Sequence, residues 1–170
     1  LRQLIFRPGA ILGATVSNQI TSLFEKRFVL GIAGTDAPFS FVSDRDVVAA
    51  LCQGIRDNST GIYNLVGGGA TSLPVIARRL GKRLVKVPAA VVRAGLWVLH
   101  TLGKSQYGPE QVGFLRYRPV LSNSRLVNEF GYTPQQSSDE VFDEFVAHRS
   151  AAKGARVVVI TGAAGGIGEA

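Results

Sequence analysis

The chain has 170 residues, of which 46% are hydrophobic and 18% charged, a composition typical of a globular protein and not of a disordered one. Its single cysteine, Cys52, excludes an internal disulfide framework and predicts a reducing compartment, so we expect a cytoplasmic protein. The longest apolar stretch, residues 87–99, is interrupted by Arg93 and is too short to span a bilayer. The net charge of +7 indicates that anionic partners need to be considered.

The densest basic cluster lies in the middle of the chain. It consists of Arg78, Arg79, Lys82, Arg83 and Lys86. Nucleic-acid binding favours basic residues interleaved with exposed aromatic ones, and no aromatic residue lies between positions 64 and 96. We therefore predict no nucleic-acid partner and interpret the cluster as the solvated end of a helix. A docking surface for an anionic substrate or nucleotide stays open as the alternative.

The first third of the chain alternates short strands with a helix. Residues 4–6 form an apolar strand, and Pro8 and Gly9 mark its end and the start of a loop. Residues 16–24 place apolar side chains on one face of a helix, and residues 28–33 then form a second strand.

A second helix is predicted to start at Ser43 or Asp44, because either side chain can accept hydrogen bonds from the free N–H groups of the first turn. Asp44 and Asp46 together resemble a general-base pair, but capping and pairing with Arg45 explain them better. The apolar residues that recur with a helical period are predicted to face the core: Val47, Val48, Leu51 and Ile55.

The alternation continues through the middle of the chain. Residues 62–66 form a strand that ends in three glycines, and a helix begins after residues 71–72 and closes near Gly81. Residues 83–87 are extended, and a strongly apolar helix covers residues 88–102.

Helical signals dominate the next part. Residues 109–117 predict a short helix, and another helix ends near Gly131. Ser137 and Glu140 have the spacing of a capping box before an apolar run, and residues 150–155 are small and polar enough to be a linker.

This order of elements predicts an α/β fold. Residues 1–149 hold about three or four strands, so they are interpreted as the later part of a domain whose earlier strands would precede Leu1. If this part is isolated, an edge of its sheet stays unpaired, which favours association with another copy of the chain.

The last residues carry the most specific pattern. Residues 157–160 form an apolar run typical of a buried parallel strand, and glycines follow at the spacing of a dinucleotide-binding turn. Gly162, Gly166 and Gly168 would shape the turn and admit a pyrophosphate, which the N-terminus of the next helix attracts.

This pattern resembles the Thr-Gly-x-x-x-Gly-Ile-Gly cofactor motif of the short-chain dehydrogenase/reductase family. The resemblance implies a second, compact Rossmann domain whose opening strand and glycine-rich turn are residues 156–170. It also implies contacts to NAD or NADP from five residues: Thr161, Gly162, Gly166, Ile167 and Gly168.

A second resemblance covers residues 2–148. Four segments occur in the order found in extended short-chain dehydrogenases of the NAD-dependent epimerase/dehydratase type. They are residues 7–13, 41–50, 61–68 and 121–134. The resemblance implies the C-terminal, substrate-side part of a Rossmann-type fold.

By the same resemblance, five residues would lie along the nicotinamide half of the cofactor: Pro8, Gly9, Ala10, Ile11 and Leu12. A Pro-Gly turn after a strand leaves backbone N–H groups that can face a flat ring or a carboxamide. The family's frequent tyrosine before the final glycine is Leu12 here, so ring stacking from that position is lost. A plain strand-ending turn is the alternative.

No catalytic residue is assigned in this chain. The family moves a proton with a tyrosine whose pKa is lowered by a lysine four residues later. The four tyrosines, Tyr63, Tyr107, Tyr117 and Tyr132, are followed at that distance by Gly67, Gln111, Leu121 and Gln136. Two lone histidines and one cysteine give no metal-ligand spacing.

The resemblances together imply a fragment of a tandem NAD(P)-dependent oxidoreductase or epimerase that acts on a hydroxyl or carbonyl of a small-molecule substrate, with nucleotide-linked compounds as one class. The predicted division is an extended domain part over residues 1–149, a linker over 150–155 and a truncated second domain over 156–170. We expect the isolated chain to be inactive and prone to homo-oligomerisation. The alternative is a non-catalytic Rossmann-like interaction module that binds a partner through residues 87–102.

Overall fold

The computed structural model of the chain describes residues 2–36, 38–101 and 120–154. The strands are β1 (Leu4–Pro8), β2 (Ala10–Leu12), β3 (Val29–Ile32), β4 (Phe41–Ser43), β5 (Gly61–Leu65) and β6 (Leu84–Val87). The helices are α1 (Gln19–Glu25), α2 (Asp44–Arg56), α3 (Leu73–Arg79), α4 (Ala89–Thr101) and α5 (Ser138–Gly154), and a π-helical turn (Leu126–Phe130) precedes α5.

The predicted α/β fold is confirmed, with all the described strands paired in parallel. β1 pairs with β5, β2 with β4 and β3 with β6, as three two-stranded units. The described residues hold six strands where three or four were predicted. The difference arises because β2 and β4 have only three residues each, too few to show an alternating pattern.

One hydrophobic cluster, the aromatic core, lies between β2, β4, α1 and α5. It contains the rings of Phe24, Phe39, Phe41, Phe142 and Phe145. Phe41 and Phe142 stack with ring centroids 5.3 Å apart, and Phe24 meets Phe142 edge to face at 5.5 Å. Such pairs add stability beyond the burial of their area.

A second cluster, the sheet cluster, lies between the β1–β5 pair, α2 and the π-helical turn. Its buried members are Val42, Ala50, Tyr63, Leu65, Leu126 and Phe130. Val47 packs against it from α2, as predicted.

The rest of the predicted inward face of α2 points outward. Its buried residues are Asp46, Ala50 and Gly54, whereas the side chains predicted to be inside are 59%, 45% and 80% exposed: Val48, Leu51 and Ile55. Gly54 explains the orientation, because a Cβ there would lie 2.2 Å from Cδ2 of Leu4 on β1. The glycine therefore leaves room for the Leu4 side chain between α2 and β1.

Several predicted helix ends are confirmed. Ser43 caps α2, its Oγ accepting from the N–H of Asp46 at 3.0 Å. Ser137 and Glu140 form the capping box of α5, in which the Glu140 carboxylate accepts from the Ser137 N–H at 2.8 Å. Gly131 ends the π-helical turn with φ of 77°.

Other expectations changed or lie outside the described residues. Residues 150–154, predicted as linker, continue α5. The predicted helix over residues 109–117 and the motif over 157–168 fall outside the described ranges. No helix among the described residues is long and apolar enough to cross a membrane.

Candidate functional site

The carboxyl ends of β1 and β5 meet at one edge of their parallel pair. Pro8, the last residue of β1, is in register with Leu65, the last residue of β5. In open α/β folds, ligands bind outside the carboxyl ends of parallel strands. We call this region the carboxyl edge and define it as residues 8–12 together with the glycine-rich residues 66–69.

Residues 8–12 are not the loop that the sequence predicts but the junction of two strands. The N–H of Gly9 donates to the carbonyl of Leu65 at 3.0 Å, and the N–H of Ala10 donates to the carbonyl of Ser40 at 2.9 Å. The predicted free donors for a cofactor are therefore already used. A Cβ at Gly9 would lie 2.5 Å from the Ser40 oxygen, so packing within the protein requires glycine there.

The side chains of this segment face different surroundings. Leu12 is 1% exposed and packs in the aromatic core, so its side chain supports the segment from behind and does not reach a ligand. Pro8 is exposed, while Ala10 and Ile11 are half-buried. Ala10 packs against the aromatic core and Ile11 against the sheet cluster, so the exposed side chain of this segment is the apolar ring of Pro8.

One polar group beside this segment has unused hydrogen-bonding capacity. The hydroxyl of Ser40 is buried and has no hydrogen-bond partner among the described residues. Leaving such a group unpaired costs about 1–3 kcal/mol. The backbone carbonyl of Ser40 lies against Gly9, but its hydroxyl is inaccessible, so the hydroxyl is not part of the surface that the carboxyl edge presents.

The glycines after β5 form the second half of the carboxyl edge. A Cβ at Gly67 would meet the Gln136 carbonyl oxygen at 2.6 Å, whereas a Cβ at Gly68 would have no neighbour within 4 Å. The backbone of α5 fixes this turn, because the N–H of Ser138 donates to the Gly68 carbonyl at 2.8 Å and its hydroxyl donates to the Gly69 carbonyl at 3.0 Å. The turn is therefore held by α5 on one side, whereas Gly68 and Gly69 are exposed to solvent.

Asp46 is a structural residue and not a general base. It is 1% exposed, and its carboxylate accepts from the Ser43 hydroxyl at 2.8 Å, the Tyr132 hydroxyl at 2.7 Å and the Gln135 N–H at 3.0 Å. Burial and the carboxylate of Asp46 raise the pKa of the Tyr132 phenol. Ser43, one of the two predicted caps, is thus the cap of α2, whereas the predicted pairing of the aspartates with Arg45 is wrong, because the Arg45 guanidinium pairs with Glu144 at 3.0 Å.

The basic cluster is partly used inside the fold. The Arg79 guanidinium pairs with Asp139 at 3.1 Å and with Asp143 at 3.2 Å, which joins α3 to α5. The Lys82 ammonium donates to the carbonyls of Phe24 and Lys26 at the end of α1, where a cation favours the helix dipole. These contacts agree with the predicted helix-end interpretation.

Sequence reasoning missed Asn18, which ties the carboxyl edge to α1. Its Nδ2 donates to the Ile11 carbonyl at 2.8 Å, and its Oδ1 accepts from the N–H groups of Ile20 and Thr21 at 2.9 Å. The spacing Asn-x-x-Thr is that of a capping box, which the structure forms. That local signal was sufficient to predict the start of α1 at this residue.

The described residues hold no group of three or more metal-ligating side chains.

The known proteins that are similar to this chain support its fold but do not show its reaction. No family model matches the chain. Three relatives, described as uncharacterized proteins of Mycobacterium bovis and of two Mycobacterium tuberculosis strains, are each 26% identical over 149 residues. The match covers 85% of this chain but only 39% of each relative.

Solved structures give a closer view of the fold. A UDP-glucose 4-epimerase of Thermus thermophilus, in complex with NAD, is 21% identical with a TM-score of 0.60 over 89% of this chain and 48% of that one. A human epimerase family protein with NADPH is 19% identical, with a TM-score of 0.62 over 86% of this chain and 48% of that one. A UDP-glucose 4-epimerase of Thermotoga maritima, with UDP-glucose, has a TM-score of 0.58. The chain thus has a partial Rossmann-like fold that spans about half of these structures.

Proposed function

We propose that this chain is the substrate-side part of an NAD(P)-dependent oxidoreductase or epimerase/dehydratase that acts on a hydroxyl or carbonyl of a small molecule. The observation that carries the proposal is the carboxyl edge, where an apolar, accessible strand junction lies beside a glycine-rich turn. The proposal is supported by the fold, because the chain matches about half of two structures that were determined with NAD or NADPH.

In this proposal, residues 8–11 lie along the nicotinamide half of the cofactor. Pro8 and the half-buried Ala10 and Ile11 supply apolar contact, and Leu12 holds the strand from the core side. The cofactor, when bound, supplies hydride transfer, and the chain's residues position it and exclude water from one side. For the second domain, we propose contacts between the cofactor and Thr161 to Gly168 from the sequence resemblance alone.

The exposed surfaces of the sheet cluster support a larger parent protein. Parallel sheets are normally covered on both faces. α2 covers one face of the β1–β5 pair, but Ile5 and Ile62, which are in register on the two strands, stay 39% and 40% exposed. We propose that another part of the polypeptide covers this face and the outward face of α2, and that the chain alone has no turnover.

The test is NADH binding, followed by NADH fluorescence, in the 170-residue chain and in the longest natural polypeptide that contains it. We expect binding and hydride transfer only in the longer protein. Pro8→Asp places a carboxylate at the carboxyl edge and should weaken NADH binding about tenfold, because the dinucleotide is anionic. Pro88→Asp, which makes the same charge change at an exposed position before α4, should have no effect. Hydride transfer by the 170-residue chain, or equal effects of the two variants, contradicts the proposal.

The second candidate is a non-catalytic interaction module, which the outward apolar face of α2 favours. A longer protein that binds no NADH, but whose assembly depends on Leu51 and Ile55, would support this candidate. Binding of NADH that responds to Pro8→Asp supports the enzyme.

A further inference from the structure

A cavity of about 200 Å³ lies away from the carboxyl edge, between α1, the β3–β6 pair and the start of α3 and α4. Its floor is made of side chains that are at most 7% exposed: Phe24, Val29, Ile32, Phe39 and Leu73. Among the described residues that line it, Lys26 carries the only polar side chain. A cavity of this composition excludes ligands that need several hydrogen bonds.

The rim of the cavity is apolar and accessible. Leu23, Phe28 and Leu30 line it and are 44%, 39% and 65% exposed. Clusters of exposed apolar side chains mark binding surfaces more often than single ones do. The cavity is therefore reached from solvent across an apolar rim, with the exposed Lys26 on the same rim.

The size and charge of the cavity limit the chemical class of ligand that it can bind. An apolar cavity of about 150 Å³ in another protein stays dry and binds benzene, so a somewhat larger cavity that opens to solvent takes one ring or one alkyl chain. Burying sugar hydroxyls against such a surface costs several hydrogen bonds. No carboxylate among the described residues lies within salt-bridge distance of the Lys26 ammonium, so this cation is available to an anionic ligand.

The cavity is connected to the carboxyl edge through the aromatic core. Phe24 and Phe39 line the cavity and pack in the same cluster as Leu12. Asn18 adds a second link, since it holds the Ile11 carbonyl and also begins α1, which supplies the cavity wall. A ligand in the cavity is thus separated from the proposed cofactor surface by one layer of side chains.

We propose that this cavity binds an apolar anionic ligand, an alkyl chain or single ring whose anionic group pairs with Lys26. The inference goes beyond the proposed function, because the aromatic core separates a ligand in the cavity from the proposed cofactor surface. It sets the chain apart from the Thermotoga maritima structure, which was determined with UDP-glucose.

The test is calorimetric titration of the 170-residue chain with decanoate, and separately with UDP-glucose, without any dinucleotide present. We expect one decanoate to bind and UDP-glucose not to bind. Gly31→Val should weaken decanoate binding about tenfold, because its Cβ would reach Leu73 and Leu84 at 3.4 Å, an ordinary contact, and the added methyl groups take up cavity space.

Matched variants separate the cavity from the surrounding surface. Leu30→Ser removes rim surface and should weaken decanoate binding about fivefold. Val85→Ser is the control, since Val85 is in register with Leu30 on β6, is also exposed and does not line the cavity. Lys26→Gln should weaken binding of decanoate but not of decanol, and Lys86→Gln should change neither.

Each outcome decides the proposal. Binding of UDP-glucose in place of decanoate, absence of decanoate binding, or equal effects of Leu30→Ser and Val85→Ser overturn it. The NADH titration is independent of these measurements. Decanoate binding with the expected variant effects, but no NADH binding in the longer protein, removes the proposed function and leaves the cavity as an apolar ligand site.

Discussion

The aromatic core and the sheet cluster are both built on parallel strand pairs, but they are closed to different extents. Around the β2–β4 pair, α5 supplies Phe142, and this ring and Phe41 are both 0% exposed. At the β1–β5 pair, Ile5 and Ile62 stay more than one third exposed. The Phe41–Phe142 contact is therefore covered on all sides by described residues, whereas the face of the sheet cluster that carries Ile5 and Ile62 stays partly exposed.

The largest expected effect lies in the aromatic core. Phe142→Ala removes a buried ring that packs against Phe24, Phe41 and Phe145, and we expect the free energy of unfolding to fall by about 3–5 kcal/mol in urea titration. Trp97→Ala is the control, because Trp97 is 59% exposed, and its change should stay within about 0.5 kcal/mol. Similar losses in the two variants would show that the core is not the stable part.

We expect Asp46 to contribute more to the stability of the sheet cluster than any other polar side chain. Asp46→Ala leaves the hydroxyls of Ser43 and Tyr132 and the N–H of Gln135 without their acceptor, so unfolding should become easier by about 3 kcal/mol. The exposed Asp36 is the matched position, and Asp36→Ala should be nearly neutral. A neutral Asp46→Ala would mean that water replaces the carboxylate at no cost.

Tyr132 should make the same cluster sensitive to alkaline pH. Its pKa is raised in the folded protein by burial and by Asp46, so between the ordinary value near 10 and the folded value the unfolded chain is deprotonated first. Stability from this group is therefore full below about pH 10 and falls as pH rises further. Tyr132→Phe should flatten that part of the pH–stability curve, measured by thermal unfolding. An unchanged curve would assign the alkaline loss to other groups.

The smallest effect on stability is expected at the outward face of α2. Ile55→Ser changes a side chain that is 80% exposed, so the free energy of unfolding should stay within about 0.5 kcal/mol. Self-association of the chain, measured by sedimentation, should nevertheless decrease, because this face belongs to the incompletely covered unit. Val91→Ser, at a 58% exposed position on α4, is the control. A larger effect at Val91 would move the association surface to α4.

Local signals predicted the ends of the elements well. Ser43, Ser137 and Glu140 act within three residues of themselves, and a cap needs nothing from the rest of the chain. Gly131 likewise adopts the left-handed conformation that its place at a helix end predicts. The resemblance of four segments also anticipated the partial Rossmann-like fold, although the short β2 and β4 were missed.

The orientation of α2 shows what such signals leave open. A helical period in Val48, Leu51 and Ile55 indicates an apolar stripe, but not what the stripe contacts. Gly54 faces the sheet here and leaves room for the side chain of Leu4, which lies on a strand 50 positions earlier in the chain. The stripe that looked like core is therefore a candidate contact surface.

The sequence was enough to predict that a strand ends near Pro8 and Gly9, because strand ends and glycines are local features. What these residues offer to a ligand depends on the tertiary fold. Pairing with residues 40–43 and with Leu65 uses the N–H groups of Gly9 and Ala10, and packing in the aromatic core buries Leu12. Hydrogen bonds and burial depend on partners far along the chain, so no local pattern contains them.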